Sequence, residues 1–177
     1  MQVFQEVQVG EALERVTMDI WPTAGQERFF RPDESAVGGG FAPVYFRCTA
    51  GAFLAFRLTD AASFQSLPAW LAAFRRHAVQ RDKSVDPATL PVLLLALHAD
   101  APEAEWAVSR ADTQAWAEQQ GLRVAFVDNH DGAEVAAAGQ ALAVAMVGVH
   151  WLVPLVGHDD GDGGAQDGER GGWCVVQ

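Results

Sequence analysis

A few stretches of this chain carry side chains that could do chemistry. Thr23-Ala24-Gly25-Gln26 follows an alternating run, Val16–Trp21, that breaks at Pro22. A strand that ends in a polar, glycine-containing loop sets backbone N–H groups and a Gln amide at a sheet's end, where α/β proteins bind ligands. Asp100 follows the apolar run Pro91–Leu97, where an acid is commonly a turn or cap residue. Cys174-Val175-Val176-Gln177 fits C-a-a-X, and Gln at X favours a farnesyl group on Cys174. The residues before it, 158–172, are acidic where a basic patch would support a lipid, so one prenyl chain would anchor weakly and reversibly. The five histidines show no ligand spacing, and no metal site is assigned.

Several chemistries are excluded. A phosphate cradle needs Gly-Lys-Ser/Thr at the end of a glycine-rich loop, so that N–H groups, an ammonium and a Mg²⁺-binding hydroxyl converge. The sequence contains no such run, and the triple glycine Gly38–Gly40 reads as a flexible linker. A net charge of −11 argues against a nucleic-acid partner and against purely electrostatic attachment to anionic lipid. The two cysteines, Cys48 and Cys174, imply no disulfide framework and fit a reducing compartment. With no basic region leading into an apolar run near Met1, no secretory signal is read, and the expected location is cytoplasmic.

The elements that must position these residues follow from hydrophobic periodicity. Met1–Val9 and Val16–Trp21 alternate and read as an antiparallel hairpin. The second half of Val44–Leu58 is an apolar strand. Thr59 or Asp60 then caps a helix on which Phe64, Leu67, Leu71, Phe74 and Ala78 share a face. Pro68 inside that helix predicts a kink or local break. Pro91–Leu97 is a strand buried on both faces. Ser109 opens a helix that Gly121 ends, Val124–Val127 is read as the last strand, and Glu134 opens the last helix. Alternating strands and helices predict an α/β fold, a mostly parallel sheet with helices on both faces.

The residues also resemble a family. Ile20-Trp21-Pro22-Thr23-Ala24-Gly25-Gln26-Glu27-Arg28-Phe29 is similar to the I-W-D-T-A-G-Q-E-R-F signature of Rab-type small GTPases, with Pro22 where the family has aspartate. Further along, Tyr45-Phe46-Arg47, Thr59-Asp60 with Ser63-Phe64, Trp70-Leu71, Val108-Ser109 and Ala115-Trp116-Ala117 match family motifs in order. The resemblance implies a Ras-like sheet of the P-loop NTPase type. Residues 1–156 would form an incomplete domain, 31–43 an inserted loop and 157–177 a tail. The family's first strand, phosphate loop, first helix and most of switch I have no counterpart here.

The family binds GTP or GDP with Mg²⁺, recruits effector and regulator proteins, and acts in vesicle traffic or signalling. By resemblance Thr23, Ala24, Gly25 and Asp100 are remnants of the GTP site, and Gln26 is the residue that orients the attacking water. Other positions depart from it. Pro22 cannot hold the Mg²⁺ shell, Leu97-His98-Ala99-Asp100 stands for N-K-x-D, and Asp128-Asn129-His130 stands for S-A-K. Nucleotide binding is therefore expected to be weak or lost. The alternatives are a GTP switch with weak binding, a non-catalytic interaction protein, or a piece of a longer active GTPase. Val135–Gly157 carries no charged residue, which leaves a tail anchor as a rival to the prenylated tail.

The strand that leads into the family's phosphate loop lies centrally, between those matching Val16–Trp21 and Ala52–Leu58. Without it, the two neighbours must pair directly, borrow a strand from a partner, or stay partly unfolded, and the chain is expected to be aggregation-prone.

Overall fold

The computed structural model describes residues 2–9, 12–22, 46, 49–78, 86–150 and 172–176. The hairpin forms as predicted. Strand β1 (Gln2–Val9) pairs antiparallel with β2 (Ala12–Pro22), from Gln2 opposite Asp19 to Val9 opposite Ala12. β2 starts at Ala12, well before Val16. β3 (Ala52–Arg57), β4 (Val92–Leu97) and β5 (Arg123–Val127) then pair side by side in parallel.

Their side chains alternate between two buried layers, as expected of parallel strands covered on both faces. Ala52, Leu54, Phe56, Leu94 and Ala96 face helix α1 (Ala61–His77) and helix α2 (Arg110–Gln120). Phe53, Leu93 and Val127 face helix α3 (Gly132–His150), together with Met18 of β2. The first layer is the larger: Leu67, Trp70, Leu71 and Phe74 of α1 fill it, and Phe46 meets Phe74 edge to face at 5.9 Å.

Local signals set the helix ends. The Asp60 carboxylate accepts the N–H groups of Ala62 and Ser63 at the start of α1. Ser109 accepts the N–H of Asp112 at the start of α2, which ends at Gly121 in the left-handed region (φ 69°), where glycine carries no Cβ penalty. The Arg75 guanidinium donates to the Gln120 carbonyl at 3.1 Å and ties the end of α1 to the end of α2.

Two expectations need correction. α1 runs unbroken through Pro68. Pro68 lies on the exposed side, so its lost N–H costs one hydrogen bond on the wet face, while Leu67, Trp70 and Leu71 on the core face hold both halves in place. The sheet also does not stop at β5. A sixth strand, β6 (Gly172–Val176), lies between β2 and β3 and is parallel to both, which gives the order β1-β2-β6-β3-β4-β5. The position left open by the sequence is filled by a distant part of the same chain. No helix among the described residues is long and apolar enough to cross a membrane.

Candidate functional site

The parallel strands β2 to β5 end on one edge of the sheet, and the loops beyond them form the candidate site. The loops beyond β4 and β5 are joined to each other. Leaving β4, the chain turns through His98, which has a positive φ of 62°. A non-glycine residue pays roughly 1–2 kcal/mol in that region, so neighbouring contacts must hold it there. They are present. The His98 N–H donates to Asn129 Oδ1 at 3.1 Å, the His98 carbonyl accepts the Ala101 N–H at 3.2 Å, and the Ala99 N–H reaches the Val127 carbonyl at 3.2 Å. The loops after β4 and β5 are thereby sewn to each other.

The acids at this edge mostly serve the backbone. Asp128 accepts the His130 N–H at 2.7 Å, Asp131 accepts the Ala133 N–H at the start of α3, and Glu134 reaches back to the Asp128 N–H at 2.7 Å. Asp60 is committed to capping α1. Asp100 is exposed on the turn after His98. No cluster of His, Cys, Asp or Glu able to hold a metal occurs among the described residues. Beside this edge, Trp106 stacks on Phe126 at 6.3 Å and the Arg110 guanidinium lies 3.9 Å from the Phe126 ring centroid. That cluster seats the short turn Glu103–Glu105 on the first core layer, and its Trp106 N–H is already donated to the Ala101 carbonyl.

A family model described as the Ras family matches residues 2–144. The chain belongs to the Ras family. Its relatives are of the Rab type. It is 34% identical over 107 residues to the Ras-related protein RABA4b of Arabidopsis thaliana, covering 60% of this chain and 40% of that protein. It is 32% identical over 124 residues to the Ras-related protein Rab-9A of Rattus norvegicus, covering 70% of this chain and 54% of that one. A shorter stretch of 62 residues is 42% identical to the Ras-related protein Rab-21 of Homo sapiens, covering 35% of this chain and 24% of the relative. The chain thus matches only about half or less of the length of these Rab-type relatives.

Within a Ras-family sheet the predicted site residues fall into three groups. Thr23, Ala24, Gly25 and Gln26 lie outside the described residues. Asp100 lies on the turn after β4 and is exposed. Cys174 lies in β6, level with Trp21 of β2 on one side and Ala52 of β3 on the other.

Members of this family hold GTP or GDP with Mg²⁺. Pro22 is the exposed last residue of β2 and offers neither a carboxylate nor an N–H. Leu97 is half-buried against the α3 layer, and the backbone N–H of His98 is already given to Asn129. The His98–Asn129 contact was not foreseen. It joins the second residue after β5 to the first residue after β4, and no periodic signal in the sequence marks that pairing.

Proposed function

We propose that this chain is a Rab-like protein that works by binding other proteins rather than by a GTP cycle. One observation carries this reading. At the end of β4 the positions of the family's N-K pair are Leu97, half-buried against the α3 layer, and His98, whose backbone is committed to the neighbouring loop. Longer upstream sequence could supply a phosphate loop but could not restore these two residues or Pro22. The partners expected for such a protein are the effectors and regulators of small GTPases. Titration of the purified chain with a fluorescent guanine nucleotide and Mg²⁺ tests this. We expect no saturable signal at micromolar concentrations. Saturable binding that unlabelled GTP or GDP competes away would instead establish a nucleotide switch.

Peripheral membrane attachment is a second part of the proposal, resting on Cys174-Val175-Val176-Gln177, and it requires residues 172–176 to leave their place between β2 and β3. A single lipid on an acidic tail predicts weak, reversible attachment to the cytosolic face of a membrane. Mass spectrometry of protein made in a eukaryotic host should find a prenyl group on Cys174, and Cys174→Ser should release the protein to the cytosol. Membrane association that survives this substitution would rule out the lipid as the anchor.

A further inference from the structure

β5 forms one outer edge of the sheet, and the ladder shows which of its backbone groups look outward. The Ala52 N–H donates to the Pro91 carbonyl and the Leu58 N–H to the Leu97 carbonyl, so the even residues of β3 and the odd residues of β4 point at each other. The even residues of β4 therefore point at β5, where Arg123, Ala125 and Val127 answer them. The Ala99 N–H, which reaches the Val127 carbonyl, agrees with this phase. The N–H and C=O groups of Val124 and Phe126 are thus directed away from the sheet. None of them has a hydrogen-bond partner among the described residues.

Native edges are commonly blunted by Pro, Lys, a bulge or a covering element. β5 carries no Pro or Lys, and its register with β4 runs without a bulge from Arg123 to Val127. Val124 and Phe126 belong to the α1 and α2 layer, Ala125 and Val127 to the α3 layer. The charges stand at opposite ends. Arg123 opens the strand and is exposed, while Asp128, Asp131 and Glu134 gather just beyond its end. The acids accept backbone N–H groups, and neither they nor Arg123 form an ion pair among the described residues. A carboxylate has about four acceptor sites, so each acid can still take a guanidinium.

We propose that β5 is a self-association edge, on which two copies of this chain pair antiparallel about a two-fold axis through Ala125. Val124 opposite Phe126 of the second copy is the register that overlaps all of Arg123–Val127. In it, each copy's Val124 and Phe126 exchange N–H and C=O bonds with the second copy's Phe126 and Val124. Phe126, which Trp106 and Arg110 hold in place, gains a β-branched neighbour across the strands. Arg123 falls beside the second copy's Val127, next to the acids beyond it. An unrelated strand could satisfy the backbone groups alone. A second copy also brings an acid to Arg123 and an arginine to the acids. A five-residue edge is small beside the roughly 1,200–2,000 Å² buried in stable complexes, so this dimer is weak and reversible.

Sedimentation velocity of the full chain from about 10 µM to about 1 mM should show a reversible monomer–dimer equilibrium. A monomer throughout would overturn the proposal. Val124→Pro removes an outward N–H and leaves the ladder with β4 whole, because Val124 donates nothing to β4. It should weaken the dimer at least about tenfold. Arg123→Glu sets like charges together and should weaken it about threefold or more, with the loss reduced by salt. A dimer that both variants leave as strong would not be built on this edge.

A disulfide tests the register directly and does not depend on the proline variant folding. The two-fold axis sets Ala125 opposite itself in a non-hydrogen-bonded pair, with Cα atoms about 4.5 Å apart, within bridging distance. In full-length chain carrying Cys48→Ser and Cys174→Ala, Ala125→Cys should form a linked dimer at least about tenfold faster than Arg76→Cys, an exposed site near the end of α1. Equal rates would place any dimer elsewhere, and the proposal would fall.

Discussion

The two ends of the ligand edge are built in opposite ways. Beyond β4 and β5, the loops are stitched by local bonds: His98 to Asn129, Ala99 to Val127, and Asp128 to its own loop and to Glu134. Each partner lies within about thirty residues of the other, and each loop starts from a strand with a fully buried neighbour on both layers. Around the slot between β2 and β3 the opposite holds. Its filler arrives from the far end of the chain and is held by a few register pairs. A fold can thus keep its architecture while changing the segment that completes it, because burial of β3 and β4 does not depend on which strand lies beside β2. Function is less tolerant. Under the proposed reading, the side chains that would read a guanine base depend on identity, and Leu97 and His98 stand at those positions.

This contrast makes the β3–β4 half the energetic centre, and the largest expected effect tests that. Leu94 is fully buried between β3 and β5 in the larger layer. Leu94→Ala should lose about 2–5 kcal/mol of unfolding free energy in a urea titration, since it removes buried methyl groups and leaves a cavity. Ile20→Ala, on the half-buried β2 side of the smaller layer, should lose clearly less. Equal losses would mean that the hairpin and slot side is as firmly built as the parallel side.

A smaller effect is expected where β3 begins. A Cβ at Gly51 would lie 2.6 Å from Met146 Cε and 2.8 Å from the Pro91 carbonyl oxygen. The methionine can swing aside. The carbonyl cannot, because it is backbone and accepts the Ala52 N–H at 3.0 Å. Gly51→Ala should therefore cost about 1–3 kcal/mol by overpacking. Adding Met146→Ala should not restore the parent stability, because the contact with Pro91 remains and a cavity is added. Full recovery in the double variant would show that only the side chain was in the way.

What the sequence disclosed follows the range of the forces involved. Ser109, Gly121 and Asp60 were read correctly because caps act within a few residues. The buried run Pro91–Leu97 was read correctly because a strand covered on both faces has no polar position. Pro68 does not break the helix, because the cost of its lost N–H depends on which side of the helix faces water, and that is set by packing. β6 was out of reach for a similar reason. Five uncharged residues next to an acidic stretch have no local signature of a central strand, and their place is set by two edges more than a hundred residues away. Of the candidate site, Asp100 was placed on its turn correctly, while the bond that organises that turn was not legible, since neither His98 nor Asn129 carries a periodic signal.

The smallest expected effect addresses that bond. His98 sits at a φ of 62°, and its N–H is held by Asn129 Oδ1 at 3.1 Å. Because the site is exposed, water can take over as the acceptor once the amide is gone, so Asn129→Ala should cost only about 0.5–1.5 kcal/mol, the net worth of a typical hydrogen bond. His98→Gly acts differently. It removes the Cβ that makes the left-handed conformation unfavourable, and it also raises the freedom of the unfolded chain, so its own effect on stability should be small. The two changes are coupled if Asn129 serves to hold His98 in its strained conformation. With glycine at 98 there is less strain to hold, so Asn129→Ala should cost less in the His98→Gly background than in the parent. The double-mutant cycle, measured by urea unfolding, should therefore show a coupling of at least about 0.5 kcal/mol. A cycle that closes to zero would mean that the loops beyond β4 and β5 hold their shapes independently, and the firmly stitched end would then be no more cooperative than the slot.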